Sequence, residues 1–438
     1  MRGPQSALWG SEAIGGVVAV EGVGPDAAPQ VMAEAGSFGF RRAAGRGNLG
    51  SGDRFLSFGV AAQGARGIDA FDGTGDRDGY RNLGGLLSAA WRLSPSVRVG
   101  GSGFMLSGRS EYDGYSPFTY LHADTLDESR NRLRAGRLFA EAGDRERFYV
   151  VASASLLGSS NRNFLDDSPV NRTSATRRTA GLEGGVVIDR HRLVLALDAE
   201  GERFRASDEA YFGATDQRRR RSRGSATLEW KSDFNVLRAD LAIRHDRFDR
   251  FKDATTLRGS VVAPLAEGIE AAATYGEGIA QPSFFDLYGF FPGSFVGNPS
   301  LRPERSRGGE LSLRYRSKAA SMALTAYRQR LSNEIVGTYD PGTFLSSTAN
   351  ADGRSRRRGI EAEWRYRPLE WLSLGGSYAW LDASEPDVST GQVREQRRPG
   401  TAVVCSWMAD ADGSASGRPS RPLGSGSIPT LTSSPQSD

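Results

Sequence analysis

The sequence predicts an all-β chain folded as a large antiparallel transmembrane β-barrel. Three observations predict it. Apolar and polar residues alternate over segment after segment, the connections between segments run short, long, short, long, and no amphipathic helical pattern competes with either.

The strands come first. HRLVLALDAE puts Leu193, Leu195, Leu197 and Ala199 on one face, and NVLRADLAIR does the same with Leu237, Ala239, Leu241 and Ile243. GIEAAATYGE groups Ile269, Ala271, Ala273 and Tyr275; RGIEAEWRYR groups Ile360, Ala362, Trp364 and Tyr366. Side chains of a strand alternate between faces, so each segment has one apolar and one polar side. Short turns are expected at 93–96, 142–147, 189–191, 232–234, 265–268 and 368–370. Longer segments are expected near 65–78, 109–127, 160–173, 206–217, 280–301 and 384–394. Tight turns at one rim and long loops at the other are the arrangement of an outer-membrane barrel. About 18 strands fit between residues 31 and 383. A β-propeller, the main soluble rival, would repeat every 40–50 residues or so, and no such repeat is visible.

The polar faces carry both Arg and Asp/Glu, as a wet lumen permits when opposite charges pair across strands. Aromatics near strand ends, Trp364, Tyr366, Trp371, Tyr378 and Trp380, suit an interfacial girdle.

Composition narrows the function. No stretch of the 438 residues nears the 18 or so apolar residues of a membrane helix, and no charged-then-apolar leader opens the chain. Glycine numbers 55, about one residue in eight, and 53 of the 56 basic residues are arginine, the exceptions being Lys231, Lys252 and Lys318. Two readings of the arginines stand: codon usage in a high-GC genome, or guanidinium pairing with carboxylates or phosphates. The net charge of only +4 speaks against a nucleic-acid partner. Cys405 is the sole cysteine, and His122, His191 and His245 lie far apart. Neither a cysteine zinc site nor a His-dependent triad follows, and no cofactor or enzymatic activity is expected.

The opening stretch RGPQSALWGSEAIGGVVAV, residues 2–20, resembles the last part of the plug domain of TonB-dependent outer-membrane receptors. Arg2, Gly3, Pro4, Ser6, Leu8, Gly10, Ala13, Gly15, Gly16, Val17 and Val20 carry the likeness, with Trp9 in place of the usual Tyr. A second stretch is similar to a late phrase of the family's barrel: Pro282, Leu287, Tyr288, Asn298, Pro299, Leu301, Pro303, Glu304, Ser306 and Glu310 fall in place. The resemblance spans residues 2 to about 398 and is nearest the siderophore and cobalamin branches.

The resemblance implies a barrel of 22 strands in the family. Residues 1–29 would be the end of a plug, 30–399 an incomplete barrel, and 400–438 a Ser/Gly/Pro-rich tail outside the family, disordered or frameshifted. Met1 would be an internal methionine, truncating the chain at both ends. A barrel short of strands would leave two edges whose N–H and C=O groups lack partners, so the chain alone is expected not to transport. The intact protein would lie in a Gram-negative outer membrane against lipid and lipopolysaccharide. It would bind a metal chelate or cobalamin-like solute, and would draw energy from the TonB complex through a segment ahead of residue 1. A passive porin-like or adhesin-type barrel is the alternative, and a soluble β-rich binding protein a third reading.

Structural roles are expected for Arg2, Gly3, Pro4, Ser6, Gly10, Gly15 and Gly16, the last two letting the plug backbone approach the wall. Candidate ligand loops are SEYDGYSPFTYLHADT, with Tyr112, Tyr115, Phe118 and Tyr120, and PSFFDLYGFFPGSF, with Phe284, Phe285, Tyr288, Phe290 and Phe291. Asp69, Asp72, Asp76 and Asp78 are oxygen-rich calcium candidates, although a solvated acidic loop explains them as well. QRRRRSR, 217–223, reads as a contact to lipid phosphates or as a solvated strand end.

Overall fold

The computed structural model describes residues 3–18, 24–71, 76–116, 119, 121–210, 213–291, 293–386, 391–395, 398–409 and 424–427. The first strands are β1 (Gln30–Ala35), β2 (Arg41–Ser51), β3 (Arg54–Ile68), β4 (Asp78–Ser94), β5 (Val97–Tyr115), β6 (His122–Asp144), β7 (Phe148–Leu165) and β8 (Ser168–Ile188). There follow β9 (His191–Asp208), β10 (Gln217–Asp233), β11 (Arg238–Phe248), β12 (Ala254–Ala266), β13 (Ile269–Ala280), β14 (Phe290–Phe291), β15 (Phe295–Val296), β16 (Glu304–Arg316) and β17 (Ala320–Ser332). Last come β18 (Ile335–Asp340), β19 (Leu345–Asn350), β20 (Arg354–Leu369), β21 (Leu372–Glu385), β22 (Val393–Arg394), β23 (Thr401–Ala409) and β24 (Gly424–Ser427).

Each strand from β1 to β12 pairs antiparallel with the next. The meander continues through β16, β17, β20, β21, β23 and β24. The small strands β14, β15, β18 and β19 form a separate sheet in the long connections. Among the described residues no pairing joins β1 to β23 or β24.

The expected short turns all lie between paired strands, and two more, at 52–53 and 317–319, complete that rim. Two expected loops are corrected. β7 and β8 run through most of 160–173 to a two-residue turn at Asp166 and Asp167, both with left-handed φ (48° and 62°). β5 and β6 likewise fill most of 109–127. Strands that stand above a membrane meet water on both faces and lose their alternation, so their sequence looks like loop. The boundary expected at 399 also moves. β23 reaches Ala409 and pairs with β21 from Thr401↔Trp380 to Ala409↔Leu372.

Packing gives the sheet an inside and an outside. Residues 3–18 and 24–25 meet Asn48, Ser57, Arg177, Arg221, Arg258 and Gln329, which lie on one face of strands from β2 to β17. The sheet therefore wraps around this segment. The apolar rows point the other way: Trp91 is 55% exposed, Leu195 51% and Leu241 52%. The buried hydrophobic cluster holds only Phe248, Ala254 and Ile279, with Phe251 packed against it. A soluble domain of this length would bury its apolar rows in a core, whereas here they form an outward belt suited to hydrocarbon. Trp91, Phe148, Trp230, Tyr315 and Tyr366 sit close to the short turns, an aromatic girdle at that rim. Strands β3 to β10 exceed the 9–11 residues or so needed to cross a bilayer; β6 has 23. Their surplus stands on the long-loop side.

Above the apolar belt the outward positions turn to arginine. On β8 the outward row reads Ile188, Val186, Gly184, Leu182, Ala180, Arg178. On β9 it reads Leu193, Leu195, Leu197, Ala199, Gly201, Arg203, Arg205, and on β10 Trp230, Leu228, Ala226, Gly224, Ser222, Arg220, Arg218. β17 and β20 repeat the pattern, with Arg328↔Arg358 and Arg330↔Arg356 directly opposite.

Candidate functional site

The segment inside the barrel starts with one helical turn, α1 (Ser6–Trp9), closed by Gly10, whose N–H donates to the Ser6 carbonyl at 2.9 Å. Gly10 has φ +82°, a left-handed conformation that favours glycine, and a Cβ there would come within 3.4 Å of the Arg244 guanidinium. Ser6 is fully buried. Its hydroxyl accepts from the Ile279 N–H (3.1 Å), and the Glu12 N–H donates to the Ile279 carbonyl (2.7 Å). The segment thus hydrogen-bonds to β13 where that strand has parted from β12, whose pairing ends at Gly276. Gln329 anchors the far side, its amide donating to the Ile14 carbonyl at 2.9 Å.

The expected roles of the glycines change in one respect. A Cβ at Gly15 would meet nothing within 4 Å, so close approach is not what that position requires. The wall supplies it instead: a Cβ at Gly276 would overlap the Pro4 carbonyl oxygen. Gly3 and Gly16 have positive φ (71° and 149°), while Arg2 lies outside the described residues.

Charge joins the segment to the wall. Glu12, held at φ 89°, an uncommon conformation for a side-chain-bearing residue, pairs with Arg177 at 3.1 Å and Arg221 at 3.8 Å. Arg177 and Arg221 flank Glu202 on adjacent strands and both bind it. One rung away Arg223 pairs with Glu200 at 3.1 Å. Asp246, fully buried, accepts from Arg244 at 3.0 Å, and Arg258 donates to the Gln5 side chain at 2.9 Å. The opening motif gave no role to Glu12. Its signal was a single acid inside an otherwise small and apolar run.

The second part of the site lies at the long-loop rim. PSFFD reads as a capping box: the Ser283 hydroxyl accepts from the Asp286 N–H (3.1 Å), and the Asp286 carboxylate accepts from the Ser283 N–H (2.8 Å). It starts α2 (Phe284–Tyr288), a helical turn absent from the sequence expectations. Arginines from β10 and the 249–253 loop carry its aromatics: Arg221 lies 4.8 Å over Phe284, Arg219 4.4 Å and Arg250 5.0 Å over Tyr288. Phe284 stacks on Phe204 at 5.4 Å and Phe285 on Phe295 at 4.6 Å. The Arg221 guanidinium also donates to the Pro282 carbonyl at 2.7 Å, so one side chain links the interior segment, the wall and the α2 loop. Phe285, Phe290 and Phe291 remain partly exposed.

The other candidates are placed differently. Tyr112 and Tyr115 lie on β5 rather than in a loop, and Tyr115 packs edge-on against His122 at 5.6 Å. Phe118, Tyr120 and Asp72 lie outside the described residues. Asp69 and Asp78 accept from the backbone N–H groups of Phe71 and Ala70, and Asp76 from that of Arg77. Among the described residues no group of three or more His, Cys, Asp or Glu is placed to hold a metal ion.

Comparison with known proteins agrees with the barrel. The chain is 25% identical over 407 residues to the vitamin B12 transporter BtuB of Photobacterium profundum, covering 91% of this chain and 64% of that relative. It therefore spans somewhat under two thirds of that protein's length. Among solved structures, the siderophore receptor PirA from Pseudomonas aeruginosa superposes with a TM-score of 0.67 at 16% identity, over 94% of this chain and 80% of that one. The copper transporter OprC gives 0.71 at 16% identity, over 94% and 69%. These two likenesses show the fold. Residues 34–411 match the family described as "TonB dependent receptor-like, beta-barrel", and with a wall of that match around an interior segment, the chain belongs to the TonB-dependent receptors.

Proposed function

We propose that the chain forms the wall and part of the plug of an outer-membrane receptor for active uptake of a large, scarce solute, a metal–siderophore or cobalamin-type ligand. The observation that carries this reading is the interior segment seated on the wall by Glu12 on Arg177, Gln5 on Arg258, Ser6 on the Ile279 backbone and the Ile14 carbonyl on Gln329. A segment ion-paired and hydrogen-bonded to several strands across the lumen would obstruct passive diffusion. Ion pairs between segment and wall are strong enough to hold and weak enough to rearrange when the TonB complex pulls. The role is binding and passage, with no covalent step.

Ligand capture is assigned to the α2 loop, where Phe285, Phe290 and Phe291 offer partly exposed rings above the arginine-braced Tyr288. Aromatic faces with nearby guanidinium groups suit planar, anionic chelates. Lipid and lipopolysaccharide are the surroundings.

The test is uptake of radiolabelled cobalamin and ferric siderophores in cells stripped of their own receptors. Expression of the receptor containing this chain should restore accumulation of one ligand class, and collapsing the proton gradient should abolish it. Accumulation that survives the collapse, or leakage of unrelated small solutes at the same rate, would assign a passive barrel. Phe285→Ser should raise the ligand concentration needed for half-maximal uptake without changing the amount of receptor in the membrane.

A further inference from the structure

Arg178, Arg203 and Arg220 converge on the outward face of three consecutive strands. They line a groove of about 400 Å³ whose floor is made of Thr176, Gly201 and Ser222. Arg203 stands directly opposite Arg220, and one further rung up Arg205 stands opposite Arg218. Like charges directly across a ladder repel. Among the described residues no Asp or Glu forms an ion pair with any of these five arginines. Two acids line the groove: Glu202 is held by Arg177 and Arg221 of the lumen face, and Asp249 accepts from the Ser222 N–H (2.7 Å) and hydroxyl (3.0 Å). Such a cluster needs anions from outside the chain.

Height says which anions. From the 189–190 turn to Arg203 the strand rises ~40 Å at ~3.3 Å per residue. At the usual tilt near 40° that is ~30 Å along the membrane normal, the thickness of the hydrocarbon layer. The outward row below Arg203 is apolar or small throughout, from Leu193 to Gly201. The arginines therefore emerge at the level of outer-leaflet headgroups, on the lipid side of the wall.

We propose that this groove is a binding site for the phosphate groups of an outer-leaflet glycolipid, the phosphorylated disaccharide end of lipopolysaccharide. The planar forks of Arg178, Arg203 and Arg220 grip phosphate oxygens bidentately, and the small floor admits the sugar–phosphate between them. This rests on the reading of the chain as an outer-membrane barrel.

The test inserts the receptor containing this chain into phosphatidylcholine vesicles containing lipid A, either bisphosphorylated or enzymatically dephosphorylated. Membrane insertion is read by protease protection. The receptor is then extracted into detergent, and retained lipid A per polypeptide is counted by mass spectrometry. Wild type should hold the bisphosphorylated form at least about tenfold better than a triple variant, Arg178→Gln with Arg203→Gln and Arg220→Gln. It should hold the dephosphorylated form no better than that variant does.

Equal retention of the two lipid forms by wild type overturns the proposal without recourse to any variant. So does equal retention by wild type and by a variant with unchanged heat-modifiable mobility. Displacement by low-millimolar inorganic phosphate would assign the groove to the free anion instead. A wild-type receptor that fails to insert refutes the membrane reading, and this proposal with it, through a separate readout.

Discussion

On β9 and β10 the same two strands carry two opposite arrangements of arginine. Facing inward, Glu202 stands across from Arg221 and Glu200 across from Arg223. Facing outward, a single residue away, Arg203 stands across from Arg220 and Arg205 from Arg218. Inside, Arg221 and Arg223 each have a carboxylate, and the network reaches Glu12 of the interior segment. Outside, arginine meets arginine. The abundance of this residue is therefore not one property but two. The inner set holds the interior segment by attraction that can be exchanged; the outer set is repulsive by itself and calls for a charged surrounding.

The largest effect that separates the two sets should come from Asp246, fully buried beneath Arg244 and within 3.8 Å of Arg223. Asp246→Ala leaves buried positive charge without its carboxylate. Removing one partner of such a pair costs about 3–5 kcal/mol. The temperature at which the folded gel band converts to the unfolded one should fall sharply. Arg203→Ala on the outer face should leave it unchanged or raise it slightly, because a like-charge contact is removed. Equal losses at both positions would dissolve the distinction between the faces.

A second, smaller effect tests which face meets lipid. Leu195→Arg places a charge in the outward apolar row and should destabilise the inserted barrel by about 2–4 kcal/mol. Val194→Arg, its neighbour on the lumen face, should cost far less. A reversed order in urea unfolding from vesicles would turn the barrel inside out.

The strands themselves are legible because alternation is a local property: Leu193, Leu195 and Leu197 announce their strand without help from neighbours. The roles of the arginines are not. QRRRRSR gives no parity of its own, and only pairing with β9 sends Arg219, Arg221 and Arg223 inward and Arg218 and Arg220 outward. The segment 160–173 looks like a loop for a related reason, since two wet faces erase the hydrophobic period. β23 is masked by the Ser- and Gly-rich run that follows it, although Val403, Val404 and Trp407 are there to read. The interior site is half visible. The glycine- and serine-rich motif marks the segment, but its partners Arg177, Arg221 and Gln329 lie far away in the chain. The helical turn α2 is readable in principle from Ser283 and Asp286 as a capping box.

Between inside and outside stand the arginines of the rim. Arg219 touches Tyr288 through its ring face alone, at 4.4 Å. Arg219→Ala should loosen the α2 loop by about 1 kcal/mol, the order of a partly exposed cation–π contact, and speed proteolysis between 283 and 303. Arg221→Ala, which also breaks the bond to the Pro282 carbonyl, should speed it more. The same cleavage rate in both variants would mean that the loop is held from the β18–β19 side, by Asn298 and Thr348, and not from the wall.

The smallest effect belongs to the opposite rim, where arginine is paired and exposed. The Arg92 side chain donates to the Asp53 carboxylate across the 52–53 turn at 2.7 Å. That hydrogen bond, and then the charge of Arg92, hold the Asp53 carboxyl below its ordinary value of 3.8. A carboxyl depressed in the folded state binds its proton less readily there than when unfolded. Its contribution is complete above 3.8 and fades as the pH falls through the lower folded value. The wild-type chain should therefore lose a small increment of stability below pH 3.8 that Arg92→Gln lacks, seen as unfolding curves that converge in acid and separate at neutral pH. Being at the surface, the pair should weaken in high salt, whereas the buried Arg244–Asp246 pair should respond little. If salt moved the buried pair as much as the rim pair, the lumen would be as wet around Asp246 as bulk solvent, and the inner arginines would hold the interior segment no more firmly than surface charges do.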